Sequence, residues 1–172
     1  RLRNLRQLTF DGENAEAYFA FDGTQLVFQR TENAEGACDR IWRMDLATGD
    51  TTAVSSGEGR TTCSYFFPND DRIIYASTHA DLDVCPAPPD MRQGYVWALY
   101  EEYDLWATDP DGGNPVRLTD TPGYDAEATI SPQGDRMVFT SVRDGDLEQY
   151  SSNLDGTDVV RLTNRIGYDG GA

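Results

Sequence analysis

The chain has 172 residues, 38% of them hydrophobic and 26% charged, which is enough for one globular domain with its own core. Thirty acids against fourteen bases, all of them arginine, give a formal charge of -16. Such a surface repels phosphate backbones and argues against nucleic acid, whereas a basic protein surface or a cation suits it. No run of about 18 apolar residues exists, so no segment of the chain reads as a transmembrane helix. The first residue is Arg1 and not methionine, so the expectation is a chain that is processed, trimmed or part of a longer one.

In chain order the elements read as short β-strands joined by tight turns. Residues 17–21 form an apolar strand, Asp22-Gly23 a turn, and residues 25–28 a β-branched and aromatic strand. Residues 41–45 supply a third strand, closed near Gly49, and Val54-Ser55 lies on a fourth, outer one. The order then repeats: residues 63–67, a turn at 68–71, residues 72–75, residues 105–109 with Asp111-Gly112, and Leu118-Thr119. It repeats again as residues 126–131, a Ser-Pro-Gln-Gly turn, residues 136–139, residues 149–153 with Asp155-Gly156, and Leu162-Thr163. Asp-Gly and Pro-x-Gly supply the positive and preset φ that hairpins require. Six Asp-Gly dipeptides give the turn density of short strands, and helical periodicity is absent.

The repeat is also explicit. Val116-Arg117-Leu118-Thr119 and the following Gly123-Tyr124-Asp125 return 44 residues later as Val160-Arg161-Leu162-Thr163 and Gly167-Tyr168-Asp169. Counting back through Val54-Ser55 to Leu8-Thr9, the intervals are 44, 64 and 46 residues; the long one reads as an ordinary unit with an insertion of about 20 residues. A period in the low forties predicts an all-β propeller of four-stranded antiparallel blades. The units span approximately 10–55, 56–119 with the insertion at 80–103, and 120–163, with the start of a fourth blade at 164–172.

Leu-Thr, Tyr-Asp, Ser-Pro-x-Gly, an apolar strand, Arg-Asp-Gly and a final Asp-Gly together resemble the TolB-like (WD-like) propeller repeat. Residues 116–163 match best, and the rest of the chain matches in weaker form. Gln149 stands where the repeat has an apolar residue, the turns at 21–23 and 68–70 only approximate Ser-Pro-x-Gly, and the resemblance is to the repeat, with no counterpart of TolB's α/β amino-terminal domain expected within these residues. Three blades do not close a ring. Because the resemblance implies six blades and roughly 260 residues, the expectation is that the natural chain is longer, or that a partner or second copy completes it.

Antiparallel order puts the loop between strands two and three of each blade on the same face as the link into the next inner strand. That face gathers a channel-mouth group, Tyr124, Asp125, Glu127, Tyr168 and Asp169, together with the insertion. Asp125 and Glu127 could bind a cation or a basic group there, or hold a neighbouring blade. Within the insertion, Tyr95, Trp97 and Tyr100, supported by Pro88, Pro89 and Arg92, read as partner-binding anchors, because aromatics dominate interface hot spots. The alternative is that these rings fold back over the blade as a satellite core.

The three cysteines approach one rim, which permits a bridge from Cys63 to either Cys38 or Cys85. The extracytoplasmic, periplasmic home that the resemblance implies would favour such a bridge. His79, Asp81 and Asp83 alternate and would share a face on an extended strand, which makes them candidate ligands for a divalent cation, a pattern of low specificity. No other cofactor is indicated. Ser77 and His79 could form a dyad only without the usual supporting motif, since Gly-x-Ser-x-Gly is absent, as is a phosphate loop. Residues 109–114 lack the glycine and glutamate of a calcium loop and read as a hairpin turn.

Three readings follow. The first is a non-enzymatic propeller that docks onto another protein, for instance as an accessory subunit on the outer face of a membrane complex. The second is a propeller domain gating a larger peptidase or amidohydrolase. The third is a metal- or ligand-binding propeller enzyme at the channel mouth.

Overall fold

A computed structural model describes residues 2–171 of the chain. Among them are twelve β-strands and no α-helix. The first sheet holds β1 (Glu13–Phe19), β2 (Gln25–Thr31), β3 (Arg40–Asp45) and β4 (Thr51–Ala53) in that order. The second holds β5 (Thr61–Phe66), β6 (Ile73–Ser77), β7 (Asp104–Thr108) and β8 (Val116–Arg117). The third holds β9 (Asp125–Ile130), β10 (Met137–Ser141), β11 (Glu148–Ser152) and β12 (Val160–Arg161). All pairs are antiparallel and join neighbours in sequence, so each sheet is one blade of an all-β propeller.

Each outer strand stops before the Leu-Thr pair that was expected to lie on it, yet that pair continues the ladder. The Leu118 amide donates to Leu105 O at 2.8 Å, and the Leu162 amide to Gln149 O at 2.8 Å. The next residue answers with its side chain: the amides of Ile41, Leu105 and Gln149 donate to Ser55 Oγ, Thr119 Oγ1 and Thr163 Oγ1 at 3.1, 2.9 and 2.9 Å. A hydroxyl here takes the place of a backbone carbonyl while the chain turns towards the next blade, so a buried N–H stays paired.

Alternation on the middle strands gives each blade two apolar faces. Val27, Ile41 and Val54 meet Phe66, Ile73 and Tyr75 across the first seam. Ile74, Ala76, Leu105 and Ala107 meet Met137, Phe139 and Tyr150 across the second. The remaining face of the first blade carries Leu26, Phe28, Trp42 and Met44 and packs against Leu8 and Leu46. In register, Gln149 corresponds to Leu105 and Ile41, and Ser151 to Ala107. The far face of the third blade is therefore more polar than the two faces that are buried against a following blade.

The inner strands bend at one matched point. Register slips between Ala15 and Tyr18, between Thr62 and Tyr65, and opposite Val138–Thr140 on β9. The residue at each bulge has positive φ: Glu16 at 50°, Cys63 at 49° and Glu127 at 59°. Bulges re-aim side chains, and these three set the floor of the site described next.

Candidate binding face

The insertion between β6 and β7 contains no strand and folds across the inner ends of the blades. It is tied down chemically at its start, where Cys38 and Cys85 form a disulfide with Cα atoms 5.5 Å apart. The bond links the loop after β2 to the corresponding loop after β6, joining two blades. The expected bridge through Cys63 is therefore overturned: Cys63 is the free thiol. The reason is positional. Cys38 and Cys85 lie on equivalent loops, whereas Cys63 sits on an inner strand, its bulge directed into a cavity. Burial, with the nearby carboxylates of Glu127 and Glu16, pushes that thiol up to about 12, so it is protonated and a poor nucleophile.

The predicted anchors divide into two groups. Trp97 lies 6.3 Å from the Tyr124 ring and 5.8 Å from the Tyr168 ring, and Tyr100 packs on Tyr103 and donates from its hydroxyl to Ala87 O at 2.8 Å. Trp97 thus seats the insertion on the blades, and Tyr100 braces its two arms against each other. Tyr95 does neither: it is 85% exposed, with Met91 and Val96 also exposed beside it. Pro88 is exposed and Pro89 half-buried, and Arg92 pairs with Asp90 at 2.6 Å in full view of solvent.

Beneath the insertion is a cavity of about 550 Å³, within the range of small-ligand sites. Its lining combines Glu16, Cys63 and Glu127 with the rings of Tyr18, Tyr65, Tyr95, Trp97 and Tyr168. Glu127 accepts from Thr140 Oγ1 at 2.6 Å, from Tyr168 Oη at 2.8 Å and from the Gly171 amide at 2.9 Å. Glu16 accepts from Tyr18 Oη at 2.9 Å. Burial, reinforced by the Glu16 contact, pushes the Tyr18 phenol up to about 12, and burial raises Tyr124 and Tyr168 as well.

Tyr124, Asp125, Glu127, Tyr168 and Asp169 do gather at this end, but Asp125 is not offered to the channel. It is buried and holds Arg143 at 3.0 Å; burial raises its carboxyl, with Ser141 and Arg143 opposing. The Asp169 amide donates to Leu147 O at 2.9 Å. Asp104 and Glu148, which begin the third strands, pair with Arg117 and Arg161 of the outer strands. This contact repeats between blades and was not singled out from the sequence, although Val-Arg-Leu-Thr recurs there.

The proposed His79, Asp81 and Asp83 set does not converge. The amides of Asp81 and Leu82 both donate to Thr78 O, at 3.1 and 2.9 Å. The chain therefore turns after β6, and the alternation assumed for an extended strand is lost. Asp81 faces Arg117 at 3.5 Å, and no group of three or more metal-ligating side chains forms among the described residues. His79 does meet Ser77: Nδ1 lies 2.7 Å from Oγ. One blade on, Ser141 occupies the position of Ser77, and Arg143 donates to it at 2.9 Å. The pair is thus this blade's version of a repeated strand-end turn. The His79 ring leans on Trp106 at 4.2 Å, and burial lowers its pKa.

No protein-family model matches the chain. A TolB-type protein of Agrobacterium tumefaciens superposes on 95% of this chain and 53% of its own, with a TM-score of 0.74 and 21% identity. TolB of Acinetobacter baumannii does so on 91% of this chain and 34% of its own, at 0.67 and 21%. The fold is a TolB-like propeller. In sequence, the uncharacterized protein Atu1656 of Agrobacterium fabrum is 30% identical over 115 residues, 67% of this chain and 32% of its own length. The chain thus spans about a third to a half of the proteins it resembles, and it shares with the two TolB-type structures a propeller fold. Among the described residues no helix is long and apolar enough to cross a membrane.

Proposed function

We propose that this TolB-like propeller is a non-catalytic interaction module that docks onto another protein through its loop-bearing face, in an extracytoplasmic compartment. The observation that carries the reading is the insertion: a proline-stiffened loop, bonded at Cys85 and packed at Trp97 and Tyr100, that holds Tyr95, Met91 and Val96 out to solvent. A rigid scaffold presenting an aromatic anchor is the usual form of a binding loop. The disulfide supports an oxidising home, and the -16 charge supports a partner with a basic surface. Against an enzymatic role stands the repeat itself, since the Ser77–His79 contact reappears as Ser141–Arg143.

The test is co-purification of partners with the tagged protein from cell-envelope extract, comparing the native chain with a Tyr95→Ala, Met91→Ala double variant. Both side chains are exposed, so the β-sheet circular dichroism should persist while partner recovery falls at least about tenfold, the scale of one hot-spot residue. Unchanged recovery with an intact fold would remove this face from the docking surface.

A further inference from the structure

The cavity under the insertion has a chemistry more definite than a general docking face. Its floor carries two carboxylates, Glu16 and Glu127, at matched bulges whose left-handed backbone fixes where they point. Every donor to them is neutral: phenols, a threonine hydroxyl and one amide. Among the described residues neither carboxylate forms an ion pair. The one arginine in the lining, Arg60, is already matched by Asp39, with Nε at 3.0 Å and Nη2 at 2.6 Å. The cavity therefore keeps two unbalanced negative charges. Its walls are aromatic, with Tyr18 and Tyr65 5.5 Å apart and Trp97 and Tyr168 5.8 Å apart among the lining rings. Ser64, 1% exposed, also lines it, and its hydroxyl has no hydrogen-bond partner.

Carboxylates attract a cation and disperse an anion, and aromatic faces add to that attraction through their quadrupole. A bare divalent ion wants six or more oxygen ligands, whereas the charge here is split between two bulges and lined with carbon. An organic cation fits better: its N–H groups would face the exposed Glu16 carboxylate, with Glu127 contributing its charge from beneath, and its C–H groups would face the rings. We propose that this cavity binds an alkylammonium or guanidinium group, presented as a lysine or arginine side chain by the docked protein. The proposal rests on the docking reading for the source of the cation but not for the cation itself.

Isothermal titration calorimetry tests it with four probes: acetyl-Gly-X-Gly-amide with X as lysine, arginine or norleucine, and free butylguanidinium. The lysine and arginine peptides should bind and the norleucine peptide should not. Glu16→Gln, at an exposed position that leaves the fold intact, should weaken the cationic peptides roughly threefold, the scale of one solvent-screened charge contact. Equal binding of the norleucine peptide, or no binding of any cationic probe, overturns the proposal. Butylguanidinium should bind as well, since the cavity recognises the cation itself; an arginine peptide that binds while butylguanidinium does not would place the contact in the peptide backbone and overturn the proposal. Failure of the peptides while Tyr95→Ala, Met91→Ala still abolishes partner recovery defeats only the cation reading. Binding of the peptides with recovery unchanged defeats only the docking reading.

Discussion

Thr119 places its hydroxyl where a strand would place a carbonyl, and the Leu105 amide donates to it at 2.9 Å in a buried setting. Valine has the same shape and no acceptor, so Thr119→Val leaves that amide unpaired. The expected cost is about 1–3 kcal/mol, read from the urea midpoint, with a smaller loss for Thr163→Val, whose site is more open. The Leu-Thr pair was the plainest signal in the chain, yet its role was not legible there. Pattern shows that a residue recurs, but only register shows that its side chain substitutes for backbone. Glu16, Cys63 and Glu127 make the same point more sharply. They occupy the same register position in successive blades although one is a thiol and two are carboxylates, and nothing in their local sequence marks a bulge.

At the scale of the element, the insertion is governed by the Cys38–Cys85 bond. Closing a loop of 47 residues restricts the unfolded chain and should contribute roughly 2–4 kcal/mol. Alkylation followed by intact mass should therefore find no modified cysteine in the native oxidised protein, one after unfolding without reductant, and three after reduction. Modification of Cys38 or Cys85 in the unfolded, unreduced sample would contradict the pairing. The insertion itself was legible, because the interval of 64 residues broke the period. Its internal division was not. Tyr95, Trp97 and Tyr100 look alike in sequence, and their separation into one displayed and two packed rings depends on Tyr124 and Tyr168, which the fold brings from elsewhere, and on Tyr103 at the insertion's own end. The cysteines misled for a related reason: a common rim was visible, but which of the three sat on a strand and pointed inward was not.

Across the whole molecule, the blades fit by backbone as well as by side chain. A Cβ on Gly156, at φ +82°, would lie too close to Leu118 O, 1.9 Å away, a carbonyl just past the previous blade's outer strand. Gly112 stands in the same relation to Val54 O, at 2.6 Å. Gly49, in the matching hairpin of the first blade, has φ +81° and nothing within 4 Å. Gly49→Ala should therefore cost only the backbone strain of about 1 kcal/mol. Gly156→Ala should cost well over about 2 kcal/mol, because a blade must also shift; equal urea midpoints for the two variants would refute this seam. The architecture was legible from turns and period. The seam was not, since Asp-Gly reads as a hairpin signal whether or not a neighbouring carbonyl also requires the glycine.

The tethering of the insertion has a thermodynamic consequence for recognition. A free loop of this length surrenders rotational freedom when a partner immobilises it, and that loss subtracts from affinity. Here the Cys38–Cys85 bond, the Tyr100–Ala87 contact and the seating of Trp97 impose the loss during folding and oxidation, before any partner arrives. Tyr95 then meets its target already ordered. Reduction of the bond would return that entropy to the loop and move its cost back into the binding step.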